Sequence, residues 1–510
     1  MRRVIRPISA AVVAAAFLLV GIAAPGGAQT GPTVLDPNLG VRPVVSGLVT
    51  PTSVAFLGAN DFLVLEKNTG QVKRVVSGVV QSTVLDLSVN FASERGLLGI
   101  ALHPDFPTTP FVYLYWTCRA PHPDDPFVPA LQECPDPPEL GADTNDILAV
   151  PLLGNRVDRF VWNGSTLTFD RNLIKLRAFQ NDGAPTPPGQ GDESQPPRGN
   201  HDGGVLAFGR DGKLYIAFGD QGRRGRLQNL PNGPTVGAAV VPDDQFGGPE
   251  PDNAHLSGGI LRLNDNGSTP SDNPFFAAGA AIGGEVGANI QKVFAYGLRN
   301  TFGMAFDPAS GNLWDQQNGD DAFDELNLVE RGMNGGWIQI MGPVDRIAQF
   351  KQIEVTLPGG LQQLRWPPTN IANTPAEALS RLFVLSGSQY SDPEFSWKFT
   401  VPPAAIGFLS SRALGAQYEN DLFVGAATPA TQGGYLFRFN LTGNRKRIAV
   451  DDPRLEDRVA DNSAKNDITE SESLLFGSDF GVSTDIETGP NGDLFVVSLT
   501  QGAVYEIFKK

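Results

Sequence analysis

His201 and Asp220 are the two side chains whose types and placement best suit proton transfer. Residues 200–222 read Asn-His-Asp-Gly-Gly-Val-Leu-Ala-Phe-Gly-Arg-Asp-Gly-Lys-Leu-Tyr-Ile-Ala-Phe-Gly-Asp-Gln-Gly. Two apolar runs, 205–208 and 214–218, flank Arg210-Asp211-Gly212, a turn signal of the Asp-Gly type, so the stretch is predicted to be a β-hairpin. Closing it brings the outer ends together and makes neighbours of His201 and Asp220. The chain has only four histidines, and one at a strand mouth beside glycines is a candidate general base.

Three further strings carry chemistry-bearing residues. Glu94 and Arg95 precede Gly96-Leu-Leu-Gly-Ile-Ala-Leu-His-Pro-Asp-Phe and are placed to face a central cavity, whereas His103-Pro104-Asp105 reads as turn chemistry. Arg299 and Asn300 stand just ahead of another apolar strand, where a guanidinium suits a carboxylate or other planar oxygen pair. A salt bridge within the scaffold is an equal reading of Arg299. Residues 316–328 group Asp320, Asp321, Asp324 and Glu325 around Gly319. Hard oxygen ligands of this kind suit Ca²⁺, but the spacing is not that of an EF-hand, and an acidic solvated turn fits as well. No nucleophile elbow, Walker loop, dinucleotide fingerprint or His-Glu-x-x-His motif is present, which counts against serine hydrolysis and nicotinamide chemistry.

The elements that must position these residues repeat along the chain. An apolar strand, a turn with Pro, Asp, Asn or Gly, and a second apolar strand recur at residues 53–65, 98–115, 205–218, 302–314, 406–424 and 484–497. Several copies continue into a further strand opened by glycine, at Gly70, Gly434 and Gly502. Repeated small antiparallel sheets mark an all-β fold, and six copies predict a six-bladed β-propeller with few helices. The segments 118–147, 178–200, 223–257, 343–390 and 443–475 are rich in Pro, Gly and charge and read as long loops on a rigid scaffold. Residues 444–472 are the most charged of these and are expected to be the most mobile.

With 58 glycines, 41 prolines and 18% charged residues, the composition is that of a turn-rich β protein. Residues 1–28 read as a cleavable signal peptide, with Arg2, Arg3 and Arg6 ahead of an apolar run and small residues at its end. That predicts a periplasmic or secreted protein with no stable membrane span after cleavage. Export fits Cys118 and Cys134, the only cysteines, closing one surface loop as a disulfide. A net charge of -16 argues against nucleic acid as a partner. The domain reading is a signal over 1–28, an N-terminal extension over 29–47 and the propeller over 48–510.

Taken together, Gly96-Leu-Leu-Gly, His103-Pro-Asp-Phe, Asn200-His-Asp-Gly-Gly, Phe218-Gly-Asp-Gln-Gly, Gly297-Leu-Arg-Asn-Thr-Phe-Gly-Met-Ala-Phe and Asp324-Glu-Leu-Asn-Leu resemble the glucose/sorbosone dehydrogenase family. The family's soluble quinoproteins are six-bladed propellers that use pyrroloquinoline quinone (PQQ) and Ca²⁺. The resemblance runs from about Leu48 to the C-terminus and implies oxidation of an aldose sugar or related alcohol, with a soluble electron acceptor as partner. It casts His201 as the catalytic base and Asp220 and Asp324 as the acids that orient it. It places Arg299, Asn300, Glu94 and Trp397 at the cofactor, Trp397 as an aromatic lid, and the backbone carbonyls of Gly319 and Asp320 on Ca²⁺.

The sequence also departs from the family pattern. Glu94 stands where glucose-oxidising members carry glutamine, and cofactor-binding cations are replaced near Thr428, at Val482 and at Thr484. Lys398, Arg412 and Arg365 are the candidate substitutes. Because the family includes non-enzymatic members, the alternative is a non-catalytic Ca²⁺-binding propeller that takes a carbohydrate or protein partner. A Ca²⁺-dependent lactonase is a third reading.

Overall fold

A computed structural model describes residues 31–91, 93–118, 154–177, 201–220, 257–357, 368–430 and 432–510. The expected signal peptide, Cys134, Arg365 and most of the segments 118–147, 178–200 and 223–257 lie outside the described residues.

Each sequence repeat folds as an antiparallel hairpin. The six are Pro51–Gly58 with Asp61–Glu66, Leu97–Leu102 with Phe111–Thr117, Leu206–Phe208 with Leu214–Phe218, Thr301–Phe306 with Leu313–Gln317, Pro403–Phe408 with Leu422–Ala426, and Ser483–Thr488 with Leu494–Ser498. Each belongs to a different one of six sheets of four to six strands. The first strands of successive hairpins touch in chain order, and Ser483–Thr488 touches Pro51–Gly58 to close the ring. This is an all-β propeller. Where the ring is tightest the strands carry glycine: a Cβ on Gly99 would lie 2.0 Å from the Gly204 carbonyl oxygen, and one on Gly407 would lie 2.0 Å from that of Ile486.

Within the stretch expected as an N-terminal extension, Thr33–Val34 and Leu39–Ser46 are strands of the sheets. Leu39–Ser46 pairs with the C-terminal strand Ala503–Lys509, from Leu39↔Lys509 to Ser46↔Ala503, so the last sheet is completed by both ends of the propeller. Such pairing removes an open sheet edge.

Two of the expected loops carry structure. Residues 343–390 hold the helices Ile347–Thr356 and Pro375–Ser380. The first buries Ile347, Phe350 and Ile353 against Trp337, Ile338 and Met341. Residues 444–472, expected to be mobile, bury Ile448, Leu455, Val459 and Asn462. Their charges lie on the surface of a segment whose apolar residues pack inward, so composition alone misreads it.

Polar side chains also sit inside the sheets. Asp315, on Leu313–Gln317, accepts the Thr301 hydroxyl at 3.0 Å, and burial pushes its carboxyl up to about 7. Burial likewise pushes Glu325, on the neighbouring strand, up to about 8. Because these carboxyls bind a proton more tightly when folded, their contribution is full below the ordinary carboxylate range and is lost as pH rises through 7 to 8. Asp315→Asn, which cannot ionise, is therefore expected to gain on the wild type as pH rises from about 5 to 9, by roughly 2 °C or more in thermal midpoint. Parallel melts across that range test this, and a constant difference between the two proteins would refute it.

Candidate functional site

The hairpin of Leu206–Phe208 and Leu214–Phe218 closes as its turn requires, with Leu206 opposite Ile216 and Phe208 opposite Leu214. Its open end brings His201 Nδ1 within 2.6 Å of Asp220 Oδ1. Both residues are buried, at 4% and 1% exposure. With Asp220 accepting the Nδ1 proton, the lone pair of the neutral ring sits on Nε2, the nitrogen able to take a proton from a substrate.

His201 adopts φ 55°, a left-handed conformation that histidine tolerates better than most residues but that needs support. Its amide donates to Glu94 Oε2 at 2.7 Å, and its carbonyl lies where a Cβ on Gly219 would approach to 2.1 Å. Asp220 is also fixed from several sides. Its Oδ2 accepts Trp337 Nε1 at 2.7 Å, and its amide donates to the Arg299 carbonyl at 2.8 Å.

Arg299 and Asn300 lie between Val293–Tyr296 and Thr301–Phe306. The Arg299 guanidinium stands 5.6 Å over the Trp337 ring, donates to the Asn318 carbonyl at 2.8 Å and pairs with the Asp320 carboxylate. Asn300 donates to Glu94 Oε2 at 3.2 Å, so one carboxylate oxygen ties it to His201. The buried Oδ1 of Asn300 has no hydrogen-bond partner among the described residues. Neither has Oδ2 of Asp202, whose other oxygen accepts Asn155 at 2.7 Å. Burial pushes the Asp202 carboxyl up to about 7 against the opposing pull of Arg95. Asn300 and Asp202 thus each leave a buried oxygen that a ligand carrying hydrogen-bond donors would satisfy.

The family model for glucose/sorbosone dehydrogenase matches residues 48–128 and 191–346, which include Glu94, His201, Asp220, Arg299 and Trp337. Over these residues the chain matches the glucose/sorbosone dehydrogenase family. It is 25% identical to quinoprotein glucose dehydrogenase B of Acinetobacter calcoaceticus over 79% of this chain and 78% of that protein. A Thermus thermophilus structure described as a glucose dehydrogenase-type oxidoreductase is 26% identical, covers 92% of this chain and 100% of its own, and superposes with a TM-score of 0.56. The PQQ-bound aldose sugar dehydrogenase of Streptomyces coelicolor shares the fold at 20% identity, with 94% of this chain and 99% of its own covered and a TM-score of 0.53.

Within this scaffold, some expected site residues fall elsewhere. Asp324 does not orient His201. Its Oδ1 accepts the Gly319 amide at 2.8 Å and its Oδ2 the Val401 amide at 2.6 Å, so it shapes the loop instead. Trp397 is no lid. It is 0% exposed and packs against Phe395, Phe437 and Phe439 in the core, because alternate residues of Phe395–Phe399 point into the sheet packing.

The aromatic residue at the site is Trp337, which sequence reasoning misses. It follows Gly335-Gly336 and carries no local signal, because only the fold brings it 117 positions back to Asp220. The candidate substitute cations are also placed elsewhere: Lys398 pairs with Asp461 and Arg412 with the Glu419 carboxylate. His103 is the turn residue expected, its Nδ1 accepting the Asp105 amide at 3.1 Å.

The 319–321 loop does not offer Ca²⁺ an open set of oxygens. The Asp320 carboxylate pairs with Arg299, its carbonyl accepts Lys465 Nζ at 3.3 Å, and the Asp321 carboxylate pairs with the same ammonium. Among the described residues no group of three or more His, Cys, Asp or Glu side chains is arranged to hold a metal. A Ca²⁺ ion takes about six to eight oxygens, so these residues as arranged do not fit it.

Proposed function

We propose that the protein is an exported, PQQ-dependent dehydrogenase that oxidises an aldose sugar or related alcohol and passes the electrons to a soluble acceptor. We read its six sheets as six blades. The observation that carries the proposal is the buried His201–Asp220 pair, with Nδ1 2.6 Å from Oδ1, in a chain that matches this dehydrogenase family. The name of the Acinetobacter relative, a quinoprotein, supports the cofactor. Export rests on the N-terminal apolar segment; no helix among the described residues is long and apolar enough to cross a membrane.

A bound quinone supplies the two-electron acceptor for the substrate's hydride. The chain supplies the rest. His201 Nε2 takes the proton of the substrate hydroxyl, and Asp220 holds the opposite nitrogen and stabilises the imidazolium that forms. Glu94, Trp337 and the Arg299 backbone hold that pair in place. The buried Arg299 guanidinium would hold a carboxylate of such a quinone, and the unpartnered Oδ1 of Asn300 would accept from an N–H or O–H of the bound ligand.

One observation favours the non-catalytic, carbohydrate-binding reading. Thr428 and Thr484 give their hydroxyls to backbone carbonyls where family members place cations. Titrating purified protein with PQQ, with and without Ca²⁺, separates the two. Equimolar quenching of tryptophan fluorescence at micromolar quinone, followed by aldose-dependent dye reduction, is expected. No binding at that concentration would overturn the dehydrogenase reading in favour of the carbohydrate-binding one.

A further inference from the structure

We propose that Lys465 is the resident cation of the 319–321 loop, its ammonium standing where a divalent ion would otherwise neutralise the oxygens. The inference concerns this loop alone and holds whether or not the chain takes a quinone.

Lys465 reaches the loop from residues 461–467, a segment far away in sequence. Its Nζ lies 3.3 Å from the Asp320 carbonyl and pairs with the Asp321 carboxylate. Arg299 pairs with the Asp320 carboxylate, so each of these two carboxylates has a side-chain cation, while the Glu354 carboxylate takes the Asp321 and Ala322 amides and Asp324 takes the Gly319 amide. The Asp320 and Asp321 carboxylates are thereby both paired from within the chain. An added Ca²⁺ would meet an ammonium at the carbonyl and two carboxylates already paired, and like charges at that distance repel.

The placement of Lys465 is built by its surroundings. Asn462, 0% exposed, accepts the Phe399 amide at 2.8 Å and donates to the Phe399 carbonyl at 2.9 Å. The Asn466 amide donates to the Thr400 carbonyl at 2.8 Å, and the Ser463 amide to Asp467 at 2.8 Å. The turn bearing Lys465 is thus fastened to residues 399–400. The next residue, Val401, donates to Asp324, which in turn holds the Gly319 amide. Loop and lysine are positioned by one hydrogen-bonded frame. The side chain is 41% exposed, so reagents can reach its amine.

The test uses the whole protein without quinone. Lys465 is acylated with limiting amine reagent, and its extent of labelling is read by peptide mass spectrometry in EGTA and in millimolar Ca²⁺. The expected labelling is the same in both. A several-fold rise with Ca²⁺ would mean the ion displaces the ammonium and would overturn the proposal. In parallel, Lys465→Met removes the charge and leaves the Asp320 carbonyl and Asp321 carboxylate without it. This variant is expected to melt lower than wild type in EGTA and to gain more from Ca²⁺ than wild type does. A variant that responds to Ca²⁺ no more than wild type would equally overturn the proposal. If the variant fails to fold, the labelling experiment on the wild type still decides.

Discussion

Replacing His201 with Asn is expected to lower kcat for the proposed sugar oxidation by roughly 10²–10⁴-fold, the usual share of a positioned general base, and to leave the fold in place. Asparagine is the right probe because His201 holds φ 55°, a conformation that asparagine enters readily and alanine does not. Loss of turnover can then be assigned to the missing imidazole and not to a collapsed turn. The neighbouring change, Asp220→Asn, sharpens the assignment. Asp220 accepts from both His201 Nδ1 and Trp337 Nε1, and an amide has only one oxygen to serve two donors. Either the ring loses its orientation or Trp337 is left facing an NH₂ group, and kcat falls on the order of 10²-fold or more. Since the two residues act as one unit, the double variant loses little beyond His201→Asn alone. Steady-state dye reduction with saturating quinone and aldose measures all three. Turnover of His201→Asn within a few-fold of wild type would place the base elsewhere.

The parts of this site that are local in sequence are the parts that sequence can reveal. The hairpin carrying His201 and Asp220 has period-two apolar runs and an Asp-Gly turn, so its ends must meet whatever surrounds it. The other five hairpins follow from the same pattern, and their recurrence makes the propeller legible. Trp337 is invisible for the opposite reason. It reaches Asp220 from a different sheet region, across a distance set by how neighbouring sheets pack. Motif position assigns Asp324 and Trp397 to the site, but it does not say what each side chain meets in the fold. They are direct partners across one strand pair, yet Trp397 enters the core while Asp324 caps loop amides. Lys465 lies in a segment whose charge suggests mobility. Its order comes from Asn462 and Leu455, one polar and one apolar residue buried within a charged stretch.

The tight inner ring of strands makes the site and the fold depend on the same glycines, and Gly99→Ala exposes that dependence. A Cβ at Gly99 would meet the Gly204 carbonyl oxygen at 2.0 Å and its carbon at 3.1 Å. Both are backbone atoms, so no side chain can swing aside. The strands Leu97–Leu102 and Leu206–Phe208 must separate instead, at about 1–3 kcal/mol or more for overpacking. Gly204 ends the four-residue run that begins at His201, so the displacement also moves the imidazole relative to Glu94, which precedes Gly99 on the same stretch. The variant is expected to melt at least several degrees lower and to lose turnover by more than its unfolded fraction explains. Gly58→Ala is the control, because no atom lies within 4 Å of a Cβ there and its backbone is not left-handed. That change should leave both quantities near wild type, or raise stability slightly by restricting the unfolded chain. Calorimetry beside steady-state kinetics on both variants decides the matter. If Gly99→Ala melts with the wild type, the inner strands are not in the close contact that sets His201 in place.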